Sequence, residues 1–247
     1  METFIELDKI LKDIVNKGYI KLEYLDSGGA GKMLEKLLGK KLDNKSIPDY
    51  KDVEIKVSNK KTKYPISLLS IIPKNKMKVN TIKYLIKNYS HNGCADDNKN
   101  NRYLNGNIST QEIKYVNKKT GFKLEIDKNN NKLYLLIIQN KKIIDNNIYW
   151  DLNEVEERIN QKMKYLIIVT TKTKKINNVT HCIYKDIMYY KLKSFYFFKE
   201  ALESGVINVS FSIKIDVDDK ITYHGIRFCI NIKDITNIYT KVHIKTK

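Results

Sequence analysis

The fold class of this chain is decided by the stretch Pro48-Asp49-Tyr50-Lys51-Asp52-Val53-Glu54-Ile55-Lys56-Val57. Apolar and charged residues alternate over its last five positions, and this period of two predicts a strand with one buried face. We expect Glu54 and Lys56 to leave the strand side by side on the other face. Asp49 stands just upstream, after a proline that favours a turn or an extended entry to the strand. The stretch therefore predicts two carboxylates and one ammonium group close together.

These side chains suit the hydrolysis of a phosphodiester bond. The carboxylates of Asp49 and Glu54, with no cysteine or histidine beside them, are the hard oxygen ligands that favour Mg²⁺. A bound Mg²⁺ would polarise the phosphoryl oxygen and lower the pKa of a coordinated water. Lys56 would orient that water or steady the charged phosphate. We interpret the stretch as the active site of a nuclease.

A simpler interpretation is a solvated ion pair, since an exposed Glu-Lys pair contributes at most about 1 kcal/mol to stability and arises easily in a lysine-rich chain. The same tripeptide recurs at Glu112-Ile113-Lys114, without the upstream Pro-Asp. What distinguishes the first copy is a glycine-led helix before it, predicted from the apolar stripe of residues 33–38 and a stop at Gly39. Glu35 lies on this helix, off the centre of the stripe, and is equally compatible with ordinary helix surface.

The glycines before this helix do not form a nucleotide-binding loop. The segment Gly28-Gly29-Ala30-Gly31-Lys32 lacks the Walker spacing, and Met33 stands where that motif needs serine or threonine. A nucleoside triphosphate site is therefore excluded at this position.

Together, residues 29–56 resemble the Gly-x-Gly-x-x-x-Glu-x-x-x-Gly, Pro-Asp, Glu-Ile-Lys signature shared by MutH and the MvaI/BcnI restriction endonucleases, within the PD-(D/E)xK superfamily. The similarity continues in order through residues 67–70, 143–150, 164–169 and 224–230. It implies an α/β (α+β) fold of the restriction-endonuclease type, with a mixed central sheet flanked by helices and a C-terminal recognition lobe. Residues 1–175 would form mainly the catalytic lobe, and residues 176–247 mainly the lobe that recognises DNA.

The resemblance implies a type II restriction endonuclease. Such an enzyme would cut double-stranded DNA as a monomer, with Mg²⁺, at a short and nearly palindromic CCNGG-like site, leave a 5′-phosphate, and have a cognate DNA methyltransferase as functional partner. The catalytic residues would be Asp49, Glu54, Lys56 and Glu35, with metal contacts at Asp49, Glu54 and Ile55. Two alternatives are a MutH-like strand-nicking repair enzyme and a basic DNA-binding module without catalysis.

The C-terminal segment departs from the family pattern. Similar proteins carry a base-reading His-x-His-Gly-x-x-Phe-Arg-Ile segment, whereas here Thr222 replaces the first histidine and Cys229 the arginine. An arginine stands instead at position 227, two residues earlier, so it projects from the same face of the strand as position 229. The preceding strand has serines where relatives have an acid and an arginine. The predicted DNA contacts are Ser210, Ser212, Lys214, Thr222, His224 and Arg227.

Composition favours a polyanionic partner. The formal net charge of +18 would steer DNA toward the protein, although lysine is abundant together with asparagine and isoleucine, as in an AT-rich genome. Arginine is more informative, because it is the commonest specific reader of guanine. Of the three arginines, Arg158 has a helical partner at Glu154 and Arg102 lies in a polar stretch, so Arg227 is the expected base reader.

Other features complete the expected organisation. No signal peptide and no apolar run of the roughly 20 residues needed to cross a membrane is evident. The three cysteines lack metal-type spacing and predict a reducing cytoplasm, with no membrane partner. Residues 88–110 are rich in asparagine and predict a mobile loop. Strands are predicted at 66–72, 132–139, 165–171, 207–215 and 221–230, and helices at 154–163 and 192–204.

Overall fold

The computed structural model describes residues 2–26, 28–40, 47–59, 64–92, 101–216, 218 and 220–244. Its helices are α1 Glu2–Asn16, α2 Gly29–Leu37, α3 Thr81–Tyr89, α4 Leu152–Lys162 and α5 Phe195–Glu203, and a 3-10 helix spans Ile232–Asn237. Its strands are β1 Ile20–Lys21, β2 Val53–Asn59, β3 Ile66–Ser70, β4 Lys74–Asn75, β5 His91–Asn92, β6 Arg102–Ile108, β7 Lys114–Tyr115, β8 Thr120–Asp127, β9 Lys132–Gln139, β10 Lys142–Asp151, β11 Tyr165–Ile176, β12 Val179–Leu192, β13 Ile207–Ile215, β14 Ile221–Ile230 and β15 Tyr239–Val242.

The chain divides into two compact units. The first unit consists of Met1–Ile66, Arg158–Lys193 and Ile238–Lys247. Its sheet has the order β1-β12-β11-β2, with β15 also paired to β12. β2 runs parallel to β11, whereas β11, β1 and β15 are all antiparallel to β12, so the sheet is mixed.

Two amphipathic helices cover one face of this mixed sheet. α1 buries Phe4, Leu7, Leu11 and Ile14 against it, because these residues recur at helical spacing. α2 is held closely by its first residue, Gly29, where a Cβ atom would lie 2.0 Å from the carbonyl oxygen of Tyr24. The glycine is thus needed for the close approach of this helix to the preceding loop.

The second unit consists of Ser67–Glu157 and Ser194–Asn237. It contains two sheets, with the orders β4-β10-β9-β8-β7 and β3-β14-β13-β6-β5. Aromatic pairs join residues of the two sheets: the rings of Phe122 and Phe211 lie 5.9 Å apart, and those of Trp150 and Phe228 5.8 Å apart. The core of this unit therefore lies between the inner faces of its sheets.

The predicted fold class is confirmed, but the compact units do not follow a boundary near residue 175. β11 and β12 form one long hairpin from Tyr165 to Leu192, so a cut at that position would separate two hydrogen-bonded strands. The chain also returns to the first unit at its end, where β15 pairs with β12. Each unit is therefore built from segments that are distant in sequence.

The expected mobile loop at 88–110 is wrong for most of its described part. Residues 102–108 form β6, which pairs with β13 along its whole length. This strand buries Leu104 and Ile108, and pairing with a neighbour overrides the low strand propensity of the asparagines between them. α3 ends at Tyr89 and β5 covers His91–Asn92, while residues 93–100 lie outside the described part of the chain.

The other predicted elements are found with shifted ends. β9, β13 and β14 are confirmed at their predicted bounds, whereas β3 ends at Ser70 and β11 continues to Ile176. α4 begins at Leu152 and α5 at Phe195. Within the described residues, no helix has the length and apolar content needed to cross a membrane.

Candidate active site

β2 carries the predicted catalytic pair and lies at the edge of its sheet in the part of the chain that the structure describes. It pairs with β11 on one side, with Glu54 in register with Leu166 and Lys56 with Ile168. Val53 and Ile55 point into the core formed with α1 and α2, as predicted. The other face of the strand is not exposed to solvent at Glu54, however, because the Glu54 side chain is only 1% exposed. The sheet is buried on both faces here, so the charged position of the alternating pattern lies inside the protein.

A tight turn places Asp49 beside this strand. The backbones of Tyr50 and Val53 are joined by two hydrogen bonds of 3.0 and 2.8 Å, and Lys51 between them has a φ of +50°. The turn directs Asp49 back along the strand, where the backbone N–H of Ile55 donates to its Oδ2 at 2.9 Å. This N–H is available because, among the described residues, β2 has a neighbouring strand on only one side.

Glu54 is surrounded by two lysines. Its Oε1 accepts a hydrogen bond from Lys56 at 2.5 Å and lies 3.5 Å from the Nζ of Lys162 in α4. Its Oε2 is buried and has no hydrogen-bond partner among the described residues. Burial raises the pKa of Glu54 above its usual value, the charge of Asp49 adds to the rise, and the two lysines oppose it.

Asp49 has a lysine of its own. Lys40, just after α2, donates to its Oδ1 at 2.5 Å, and both side chains are largely buried. Burial lowers the pKa of Lys40, but the hydrogen bond to Asp49 and the charges of Asp49, Glu35 and Glu54 outweigh it, so the pKa is raised overall. Asp49 and Glu54 are thus each paired with a lysine side chain.

Glu35 lies in the same electrostatic environment. Burial raises the pKa of this helix glutamate, and so do the charges of Asp49 and Glu54, whereas Lys40 and Lys56 lower it. Its burial alone does not distinguish it from ordinary helix surface, since Lys32 on the same helix is half-buried as well, but its charged neighbours do. The structure therefore brings the four predicted catalytic residues, Glu35, Asp49, Glu54 and Lys56, into one cluster of mutually interacting charges.

The donors of this cluster fit a hard divalent cation. Among the residues with described positions, no group of three or more histidine, cysteine, aspartate and glutamate side chains is arranged to hold a metal. Mg²⁺, however, keeps several waters and is commonly held by one or two carboxylates. The buried Oε2 of Glu54, which has no hydrogen-bond partner among the described residues, would be the ligand that Glu54 offers beside Asp49. The predicted metal contacts at Asp49, Glu54 and Ile55 are compatible with this arrangement and stay a prediction.

The raised pKa of Glu54 gives an expected pH dependence of stability in EDTA. A carboxyl with a raised folded-state pKa disfavours folding when ionised, and this penalty disappears as the pH falls through that pKa toward 4.5. Relative to Glu54→Gln, the parent protein should therefore lose free energy of unfolding as the pH rises from 4.5 to neutrality. Urea denaturation of both proteins across this range measures the difference. A constant difference would contradict the raised pKa.

The predicted DNA-contacting residues lie on β13 and β14 of the second unit. Ser210 is in register with Arg227 and Lys214 with Thr222, so these pairs share a face. A bulge at Gly225, whose φ is +107°, lies between the two pairs. Its extra residue lets Thr222 and Arg227 project to the same face of the sheet, although an odd number of positions separates them. The face formed by the predicted contacts comprises Ser210, Ser212, Lys214, Thr222, His224 and Arg227, and we call it the polar face of β13 and β14.

Three residues of this cluster of charges were not predicted. Lys40 and Lys162 contact the carboxylates, and the buried Tyr239 is close enough to Glu54 for its charge to help burial raise the pKa of this tyrosine. Tyr239 also donates to the carbonyl oxygen of Met163 at 2.9 Å, which ties β15 to the end of α4. No local pattern marks these residues, since they reach Glu54 and Asp49 from distant segments of a chain with 46 basic residues.

Comparison with known proteins identifies the family to which this chain belongs. The sequence profile of the MvaI/BcnI restriction endonuclease family matches residues 8–239. A structure of restriction endonuclease MvaI in complex with its cognate DNA substrate matches at a TM-score of 0.87 and 22% identity, covering 98% of each chain. MvaI in the absence of DNA matches at a TM-score of 0.60 and 23% identity, covering 98% of this chain and 97% of the other. A search of curated protein sequences found no match. The chain therefore belongs to the MvaI/BcnI restriction endonuclease family, which makes it a type II site-specific deoxyribonuclease.

Proposed function

We propose that this protein hydrolyses double-stranded DNA with Mg²⁺ at a short, nearly palindromic CCNGG-like site and leaves 5′-phosphate ends. The observation that carries the proposal is the cluster on β2, where the buried Glu54 and its partner Lys56 lie beside Asp49. A solved structure of the related MvaI with its cognate DNA substrate supports DNA as the partner. The enzyme acts as a monomer, and a cognate methyltransferase protects the host DNA.

The two carboxylates would hold the cation in this mechanism. Asp49 is fixed by the N–H of Ile55, and Glu54 would contribute its Oε2, which has no hydrogen-bond partner among the described residues. When bound, Mg²⁺ polarises the scissile phosphate and neutralises the charge that develops on it. Lys40, which donates to the Oδ1 of Asp49, would compete with the cation wherever both sought that oxygen.

Lys56 acts beside this pair. Its hydrogen bond to Glu54 uses one of the three N–H donors of the ammonium group and leaves the others for substrate. These donors orient the attacking water toward phosphorus. Glu35, whose pKa is raised by burial and by the charge of Asp49, lies in the same cluster and would accept a hydrogen bond from a water that enters the site. Burial of Glu54 strengthens these electrostatic interactions, because the surrounding protein screens them less than bulk water does.

The polar face of β13 and β14 provides base recognition. Its central residue is Arg227, whose Nε is buried and has no hydrogen-bond partner in the described structure. A guanidinium group can donate two hydrogen bonds to guanine O6 and N7 in the major groove. His224 and Thr222 are exposed on the same face and supply further donors and acceptors.

Incubation with unmethylated plasmid DNA tests the proposal. With Mg²⁺ we expect discrete linear fragments, and with EDTA we expect intact DNA, because without the cation the negative carboxylates repel the phosphate and the charge that develops on it is not neutralised. Sequencing of the fragment ends gives the recognised bases and the cut position. Nicked circles without linear product would indicate strand nicking instead. Equal products with and without Mg²⁺, or no cleavage of several different templates, would contradict the proposal.

A further inference from the structure

The polar face continues from β13 onto β6. These strands are antiparallel neighbours, with Asn107 in register with Ser210 and Asn105 with Ser212. Residues directly opposite one another in an antiparallel pair project to the same face of the sheet. Because Ser210 is itself in register with Arg227, the side chains of Asn107, Ser210 and Arg227 form one row across three strands.

The row has the dimensions of a base-reading element. Neighbouring strands are about 4.8 Å apart, so Asn107 and Arg227 are separated by roughly 10 Å across the sheet. The major groove of B-DNA is about 12 Å wide and admits paired strands. Gly225 leaves room for the side chain of Arg227 at one end of the row. A Cβ at position 225 would lie 3.1 Å from the Cγ of Arg227 and 3.0 Å from the Oγ of Ser70.

The two asparagines of β6 differ in how their amides are used. The Oδ1 of Asn105 accepts a hydrogen bond from the backbone N–H of Ile213 at 3.2 Å, at the bulge between β13 and β14. This contact gives Asn105 a structural role. Asn107 is exposed, and its amide makes no hydrogen bond with any other described residue. Both the donor and the acceptor of Asn107 are therefore available to a ligand.

Asn107 contributes little to the stability of its strand. Asparagine is depleted in strands, and β6 is secured by Leu104 and Ile108 on the opposite face, both of which are fully buried. A free carboxamide has one donor and one acceptor in a plane, which match N7 and the N6 amino group of adenine in the major groove.

We propose that Asn107 determines specificity at the central base pair of the site by reading an adenine in the major groove, beside the base that Arg227 reads from the same row. This inference rests on the proposed function, because it assumes that the polar face contacts the recognition site. It adds to the DNA contacts a residue from β6, far from β13 and β14 in sequence.

Cleavage-end mapping tests the inference. The parent, Asn107→Ala and the control Asn146→Ala would be incubated with Mg²⁺ and a library of duplexes carrying every single-base change in the mapped site. Asn146 is also an exposed strand asparagine of the second unit, but it lies on β10 in the other sheet. We expect Asn107→Ala to lose discrimination by roughly 5- to 150-fold at one A·T position only, and Asn146→Ala to match the parent.

The outcomes separate this inference from the function on which it rests. Discrete cleavage by the parent with unchanged preference in Asn107→Ala, at every position, overturns the inference and leaves the nuclease intact. A loss confined to G·C positions also overturns it. Absence of cleavage by the parent overturns the proposed function and the inference together. Thermal melting followed by circular dichroism verifies that Asn107→Ala folds, as expected for the removal of an exposed side chain.

Discussion

Replacement of Glu54 by glutamine is expected to lower the rate of DNA cleavage by on the order of a thousandfold or more, and to leave DNA binding intact. The amide keeps the shape of the side chain and an oxygen that accepts from Lys56. It loses the negative charge with which Glu54 would hold the cation in the proposed mechanism. Electrostatic stabilisation by a bound metal contributes several kcal/mol to the transition state, and each 1.4 kcal/mol is about tenfold in rate.

Single-turnover cleavage and filter binding measure the two effects separately. The matched control is Glu23→Gln, which removes the same charge from a half-exposed glutamate paired with Lys36 at 2.5 Å. Such surface pairs contribute little, so the control should cleave like the parent. Isothermal titration with Mg²⁺ adds a readout that does not depend on catalysis, and Glu54→Gln should bind the ion more weakly. Cleavage within tenfold of the parent rate would contradict the assignment of Glu54.

The part of the site that could be predicted from sequence is local. Asp49, Glu54 and Lys56 occupy one turn and one strand, so the proline, the period of two and the charges suffice to place them together. The burial of Glu54 could not be predicted in this way. The alternating pattern assumes a solvated second face, and only the packing of α4 and Tyr239 near that face encloses the carboxylate.

Lys40 and Lys162 illustrate a second limit. Both contact carboxylates of the site, yet they are two lysines in a chain with a formal net charge of +18. Residue type carries little information when a residue is so common. The position of Lys162 depends on how α4 packs near β2, a contact between segments more than a hundred residues apart.

The fold shows the same division between local and distant causes. Strands with clear alternation, such as β13, were predicted at their bounds, whereas β6 was predicted as part of a loop. Its Asn105-Gly106-Asn107 segment has the composition of a turn and forms a strand only because β13 pairs with it. The asparagines that obscured the strand are the residues that its polar face presents.

Replacement of Lys56 by alanine is expected to slow cleavage by about 10²- to 10⁴-fold, the contribution of a positioned proton-transfer or water-orienting group. Lys162→Ala is the matched comparison, because both ammonium groups lie within 4.0 Å of the Oε1 of Glu54. Lys162 is at 3.5 Å, too far for a hydrogen bond, and we expect its loss to slow cleavage less than tenfold.

The comparison distinguishes two roles for Lys56. If this lysine only compensates the buried charge of Glu54, both variants should lose stability and activity in proportion, since each removes one cation from the same oxygen. If Lys56 acts on water or phosphate, its variant should lose far more activity than its loss of stability accounts for. Urea denaturation in EDTA and single-turnover cleavage with saturating Mg²⁺ give the two quantities. Equal rate losses in the two variants would show that Lys56 acts only as a counter-ion of Glu54. Glu35 and Lys40 would then be the remaining candidates for the group that orients the water.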